Sequence, residues 1–181
     1  MRFLPTPLEG LTLIEVERRE DDRGYFGRIY CEREFEANGL ASRMVQTNMS
    51  LTEKAGTLRG MHYQLAPHAE DKLVRCMRGA IWDAAIDLRP GSETYCQWFG
   101  AELSEENGTM LLVPKGFAHG FVTLTDGAAV SYQVSAFYAP GAERGVRHDD
   151  PAFGVQWPVP VKDMSPKDGN WPFFERGEIR P

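Results

Sequence analysis

Glycine and proline interrupt this chain so often that little room is left for regular helices. Together they supply 30 of the 181 residues (18 Gly and 12 Pro). Between them lie short runs rich in Val, Leu, Ile, Tyr and Phe, the pattern of many strands joined by turns. Such runs fall at 11–17, 25–30, 45–51, 57–63, 72–78, 81–88, 95–102, 109–113, 117–124 and 129–137. In the run 72–78, Lys72, Val74, Cys76 and Arg78 share one face and Leu73, Arg75 and Met77 the other. The same alternation puts Val130, Tyr132, Val134 and Ala136 together. The helical signal is confined to Glu32–Asn38, ending at Gly39, while Ser104–Gly108 reads as a capped turn. Ten short strands at this spacing predict an all-β sandwich or barrel. A chain of this length fits one domain, residues 1–181, better than two.

The last thirty residues change character. Pro151, Pro158, Pro160, Pro166, Pro172 and Pro181 exclude a central strand there. Trp157, Trp171, Phe173 and Phe174 nevertheless need burial, so the tail is expected to pack across the strands. Three cysteines, Cys31, Cys76 and Cys96, make neither a CxxC pair nor a disulfide framework, which points to a reducing, cytoplasmic setting. The net charge of −6 disfavours nucleic acid as a partner, and no apolar run is long enough to cross a membrane. An anionic small ligand fits only where a few Arg and Lys gather locally.

Two segments carry most of the chemistry. One is Gly56-Thr57-Leu58-Arg59-Gly60-Met61-His62-Tyr63-Gln64; the other runs from Gly108 to Pro114-Lys115-Gly116-Phe117-Ala118-His119-Gly120. They resemble the paired motifs of the cupin superfamily, in which glycine turns place histidines inside a small jelly roll. Many cupins bind metal there through His-x-His, but here Gln64 takes the second position. His62 and His119 alone fall short of a stable metal site, so no metal or other cofactor is expected. A base, a cation (Lys72, with Arg59 near His62) and a phenol (Tyr132) suit proton abstraction beside a carbonyl. In an ideal strand Arg59 and His62 point to opposite faces; a bulge at Gly60 would turn both inward.

The chain resembles the dTDP-4-dehydrorhamnose 3,5-epimerases, dTDP-sugar epimerases of the cupin superfamily. The resemblance rests on Asp22–Phe26, Gln46-Thr47-Asn48, Leu58–Gln64, Lys72–Arg75, Pro114–Phe121, Tyr132, Tyr138-Ala139-Pro140, Glu143 and Ser165–Asp168, in the family's order. It implies a cupin-type jelly-roll β-barrel with short peripheral helices and the proline-rich tail packed on it. It also implies inversion of C3 and C5 of a nucleotide-diphospho-4-keto-6-deoxyhexose, such as dTDP-4-dehydro-6-deoxyglucose. By that analogy His62 is the general base, oriented by Asp168, Tyr132 returns a proton from the opposite face, and Lys72 stabilises the enolate. Arg59 and Arg23 are implied to hold the diphosphate, His119 to lie near sugar and diphosphate, and Phe26 and Tyr138 to sandwich the base. Gln46, Asn48, Glu143 and Lys167 match further substrate-contact positions. Family members are homodimers whose N-terminal part enters the partner's site, so residues 23–28 would serve the neighbour.

Three positions depart from the family pattern. Arg28 replaces the usual Glu, Thr47 the usual Asp and Met49 a common His. Arg28 and Thr47 flank the expected base-binding region, which leaves the nucleobase open. Other readings of the same residues are an epimerase acting at one carbon only, a metal-dependent cupin enzyme, and a nucleotide-sugar binding module without catalysis.

Overall fold

The computed structural model describes residues 1–175. The strands are β1 (Arg2–Pro5), β2 (Thr12–Glu15), β3 (Arg19–Asp21), β4 (Gly24–Phe26), β5 (Gln46–Thr52), β6 (Thr57–Gln64) and β7 (Lys72–Arg78). They continue as β8 (Ala80–Asp87), β9 (Trp98–Ser104), β10 (Met110–Val113), β11 (Phe117–Thr123), β12 (Ala128–Val134), β13 (Glu143–Gly145) and β14 (Asp163–Met164). Two short helices accompany them, α1 (Glu32–Ala37) and α2 (Pro166–Gly169). The first sheet has the order β1-β2-β10-β7-β12-β5, and the second β13-β6-β11-β8-β9, with β14 added in parallel on β6. The result is a two-sheet sandwich of the jelly-roll kind. Strand 72–78 has the expected limits, whereas 129–137 stops at Val134 and 25–30 shrinks to Gly24–Phe26.

Strand alternation explains the core. Val74, Cys76, Leu111, Val113 and Val130 from the first sheet meet Ile81, Ala85, Leu103, Phe117 and Phe121 from the second. Their neighbours on the outer faces are covered as well. Ile14, Leu73 and Met110 pack under Phe35 of α1, a helix that ends where Gly39 takes φ +69°. Met61, Ala84, Ile86 and Ala118 lie beneath Val146, Phe153, Trp157 and Phe174, so the tail does pack on the second sheet. Phe173 is the exception. It is 59% exposed, with the Arg147 guanidinium over its ring 4.8 Å from the centroid, while Phe174 packs on Phe153. With both faces covered, β11 is buried along its whole length.

One irregularity in the second sheet positions the site. Across β6 and β11, His62 faces His119 and Arg59 faces Phe121, so β6 holds one more residue than its partner over that stretch. The extra residue sits at Gly60-Met61. A Cβ on Gly60 (φ +133°) would lie 2.5 Å from the Gly120 Cα, and one on Gly120 only 2.8 Å from the Arg59 carbonyl oxygen. Two glycines face to face therefore let the bulge close against β11. The bulge turns both Arg59 and His62 into the same cavity, as the spacing of the motif requires.

Candidate active site

Between the open ends of the two sheets lies a cleft of two chambers. The larger, about 460 Å³, is lined by Arg59, His62, His119, Lys167 and Asp168 among others; the smaller, about 400 Å³, by Gln46, Asn48, Gln64, Glu70, Tyr138 and Glu143. His62, Lys72 and Tyr132 belong to both and mark the passage between them. His62 comes from β6 in one sheet and Tyr132 from β12 in the other, so imidazole and phenol stand on facing walls.

His62 is held from behind. Its Nε2 lies 2.5 Å from Oδ1 of Asp168, whose Oδ2 accepts the Gly60 N–H at 3.4 Å. Asp168 rides on α2, a single turn whose N-cap Ser165 accepts from the Asp168 N–H at 3.1 Å, with Pro166 opening the helix. What reads in the sequence as a turn is thus a fixed platform for a carboxylate only 4% exposed. Burial pushes the Asp168 carboxyl up, but the His62 hydrogen bond and charge, with the Gly60 and Ser165 contacts, hold it below its ordinary 3.8. Because the carboxylate takes the Nε2 proton, Nδ1 is left as the basic nitrogen. Trp171 meets the His62 ring edge-on at 6.4 Å, and it packs there because residue 145 is glycine: a Cβ would lie 2.3 Å from the indole.

Lys72 lies opposite. Its Nζ donates to the His62 carbonyl at 3.3 Å and is 3.4 Å from Oε1 of Glu70, both side chains being 12% exposed. Burial first, then the negative charges of Glu70 and Glu143, hold the Tyr132 phenol above its ordinary 10, while Arg59 pulls the other way. His119 pairs with Asp83 at 2.8 Å, and Asp83 is fully buried. Arg59 is steadied by the Thr52 hydroxyl at 2.8 Å and the Leu51 carbonyl at 3.3 Å. At the rim of the smaller chamber Glu143 joins three elements: Lys167 at 2.6 Å, the Tyr138 hydroxyl at 2.7 Å, and its own place on β13. Burial raises the Glu143 carboxyl, but those two bonds and the Lys167 and His62 charges outweigh it and leave it lowered. Gln46 accepts the Tyr138 N–H at 2.8 Å, and Asn48 lies opposite Tyr132 in the ladder.

Eleven of the fourteen residues singled out in the sequence line these two chambers. Arg23, Phe26 and Arg28 do not. Arg23 pairs with Asp21 at 2.5 Å, Arg28 with Glu34 at 2.9 Å, and Phe26 is 66% exposed on the β3–β4 hairpin. Thr47 also lies elsewhere than expected: Gln46, Asn48 and Ser50 face inward, while Thr47 and Met49 alternate onto the exposed face of β5. The departures at 47 and 49 therefore do not flank the smaller chamber of their own chain. Two buried acids were missed. Glu70 is two residues from Lys72, the spacing that puts side chains on one face of an extended segment. Asp83 interrupts the otherwise apolar run Ile81–Ile86. Gln64 is spent on structure, donating to His68 O, Glu70 and Phe137 O and accepting from Ala139 N. Among the described residues no three His, Cys, Asp or Glu side chains gather as metal ligands, and no helix is long and apolar enough to cross a membrane.

The profile of the dTDP-4-dehydrorhamnose 3,5-epimerases matches residues 5–176. The chain belongs to that family. It is 46% identical over 173 residues to the dTDP-4-dehydrorhamnose 3,5-epimerase of Sinorhizobium fredii, covering 95% of this chain and 89% of that one. The crystal structure of the epimerase from Elizabethkingia anophelis superposes with a TM-score of 0.93 at 43% identity, over 96% of both chains. That of the Legionella pneumophila enzyme, in complex with dTDP-4-keto-L-rhamnose, does so at 0.87 and 37% identity, over 92% of this chain and 89% of the other. The family's jelly-roll architecture is thus the architecture of this chain.

Proposed function

We propose that this protein is a nucleotide-sugar 3,5-epimerase that inverts C3 and C5 of a nucleotide-diphospho-4-keto-6-deoxyhexose. The observation that carries the reading is one cleft flanked by a carboxylate-backed imidazole and a phenol on facing walls, with an ammonium between them. Both reacting carbons neighbour the C4 ketone, so a proton removed from either leaves its electron pair shared with the C4 oxygen. His62 Nδ1 takes that proton and Asp168 stabilises the imidazolium formed. Lys72 donates to the enolate oxygen where charge develops. Tyr132 returns a proton from the other wall; a single base giving back its own proton would restore the starting centre. The raised phenol keeps Tyr132 protonated, as a donor must be.

Arg59 and Lys167 supply positive charge for the diphosphate, and Arg suits phosphate through its planar fork. Gln46, Asn48 and Tyr138 offer carboxamides and a ring to the base, and His119 with Asp83 closes the sugar end. The working unit in this reading is a homodimer. The β3–β4 hairpin carries Tyr25 and Phe26, 49% and 66% exposed, and a hairpin standing alone is marginal in water. Exchanged onto a partner, it would bring Arg23, Phe26 and Arg28 to the second cleft. Three cysteines that form no disulfide among the described residues support a cytoplasmic setting.

The test is NMR in deuterated solvent with 4-keto-6-deoxyhexoses carrying thymidine, uridine, cytidine or guanosine diphosphate. Deuterium entering C3 and C5 with inversion is expected. Exchange at one carbon alone would make the protein a single-centre epimerase, and exchange at neither would overturn the reading.

A further inference from the structure

Glu70 has no part in the steps above, yet it stands in the wall of the cleft. It lies in the loop between β6 and β7, with a side chain 12% exposed. Its Oε2 accepts from Gln64 Nε2 at 3.1 Å, and Gln64 is itself tied to the His68 and Phe137 carbonyls and to the Ala139 N–H. Glu70 is thus held from behind by a side chain that cannot turn away. Its Oε1 faces Lys72 Nζ at 3.4 Å.

An ammonium has three N–H groups. That of Lys72 donates one to the His62 carbonyl and is ion-paired with the Glu70 carboxylate at 3.4 Å; among the described residues it has no other partner. A cation this far from water is costly to bury without a counter-charge, and the carboxylate supplies it. Two partners hold the ammonium in the wall of the chambers it shares with His62 and Tyr132.

We propose that Glu70 is a positioning residue of the reaction, anchoring the Lys72 ammonium in the wall of the cleft so that it meets the C4 oxygen as the enolate forms. The inference rests on the reading of Lys72 as the cation that stabilises the enolate. Glu70 also acts on Tyr132, which stands on β12, the strand paired with β7 in the same sheet. Its charge opposes ionisation of Tyr132, helping to keep the phenol a donor. The charged and titratable groups that line the two chambers with that phenol are Arg59, His62 and Tyr63 from β6, Lys72 from β7, His119 from β11, Glu143 from β13, Asp163 from β14, Lys167 and Asp168 from α2, and Tyr138, besides Glu70 itself. One carboxylate therefore anchors the ammonium and opposes ionisation of the phenol.

The experiment compares Glu70→Gln, Lys72→Met and the double variant, with Glu70→Asp as the conservative change and circular dichroism to verify folding. Glu70→Gln is expected to lower kcat about 10- to 100-fold, leave KM within about threefold, and move the alkaline limb of the kcat profile to lower pH. Glu70→Asp should recover part of kcat. On the Lys72→Met background the Glu70 change should cost less than about threefold in kcat at neutral pH, because there its effect on turnover runs through Lys72 and the Tyr132 route shows only in the alkaline limb. Losses that multiply in the double variant, or a Glu70→Gln enzyme with the parent's kcat and pH limb, would overturn the proposal. Independently of turnover, the ¹³Cζ titration of Tyr132 should move down in Glu70→Gln; an unmoved titration would overturn the electrostatic role even if the substrate assignment failed.

Discussion

Replacing Asp168 by Asn tests the base most directly, since it removes one charge and almost no volume. Asp168 accepts from two donors at once, His62 Nε2–H on Oδ1 and Gly60 N–H on Oδ2. A carboxamide has one accepting oxygen, so it cannot serve both. If the oxygen stays with His62, the NH2 group is driven against the Gly60 N–H. If the amide turns, its NH2 donates to Nε2, the proton moves to Nδ1, and the nitrogen meant to act as base is blocked. A hydrogen bond to a charged group is worth about 1.5–3 kcal/mol, or roughly 10- to 100-fold in rate at 1.4 kcal/mol per decade. The tautomer conflict adds to that, so kcat should fall by about 100-fold or more while nucleotide diphosphate still binds. The Ser165 cap on the backbone N–H of residue 168 survives the change. Steady-state kinetics beside calorimetric binding of the nucleoside diphosphate would measure both. A variant within threefold of the parent kcat would refute the assignment of Asp168 as the orienting carboxylate.

Four further outcomes follow from the same geometry. Tyr132→Phe removes the donor of the second wall and should slow inversion by about 10² to 10⁴, while His62 still washes solvent deuterium into the substrate with retention; NMR separates the two. Gly60→Ala places a methyl 2.5 Å from the Gly120 backbone at φ +133°, so a loss of about 3 kcal/mol in chemical denaturation is expected, together with loss of activity. Asp87 is fully buried; burial pushes its carboxyl up, but bonds from Arg89, Ser92 and Thr94 hold it at about 2 against an ordinary 3.8. Its stabilisation, about 2 kcal/mol, is present above pH 4 and lost as pH falls toward 2, so Asp87→Asn should lower Tm at pH 7 and flatten the acid limb between those values. Mixed dimers of a His62→Ala chain with a Phe26→Ala chain should recover activity that neither homodimer shows, whereas no recovery would argue that each cleft is complete within its own chain.

The strands and the cleft were legible in the sequence for the same reason: both follow from a two-residue period. Lys72, Val74 and Cys76 fall on one face whatever surrounds them, and the burial of Val74 and Cys76 in the core carries Lys72 into the cavity beyond. The motif spacing even required the bulge, since Arg59 and His62 can share a face only if β6 gains a residue between them. What escaped the sequence depends on long-range closure. The strand β1, the tail strand β14 and the one-turn helix α2 exist because other strands offer them an edge or a cap, and their own residues carry little signal. Phe173 shows the converse. Its ring type demands burial, yet it stays 59% exposed with a guanidinium stacked on it, a contact the sequence spacing does not announce.

The placement of charge gives the cleft its direction. Four of its carboxylates lie behind other groups: Asp168 behind His62, Asp83 behind His119, Glu70 behind Lys72, and Glu143 behind Lys167 and Tyr138. Each negative charge is spent on fixing a donor or a base, and what the pairs present to the cavity is an imidazole, an ammonium or a phenol. A protein of net charge −6 can in this way hold a dianionic substrate. The sum over the chain repels it weakly through water, where charges beyond about 10 Å are screened at moderate salt. The local set attracts it across a few ångströms of low dielectric, where the interaction is several times stronger. Association should therefore slow only slightly at low ionic strength and the dissociation constant should rise with salt. A dissociation constant insensitive to salt would mean that the pairs neutralise the cleft rather than orient it.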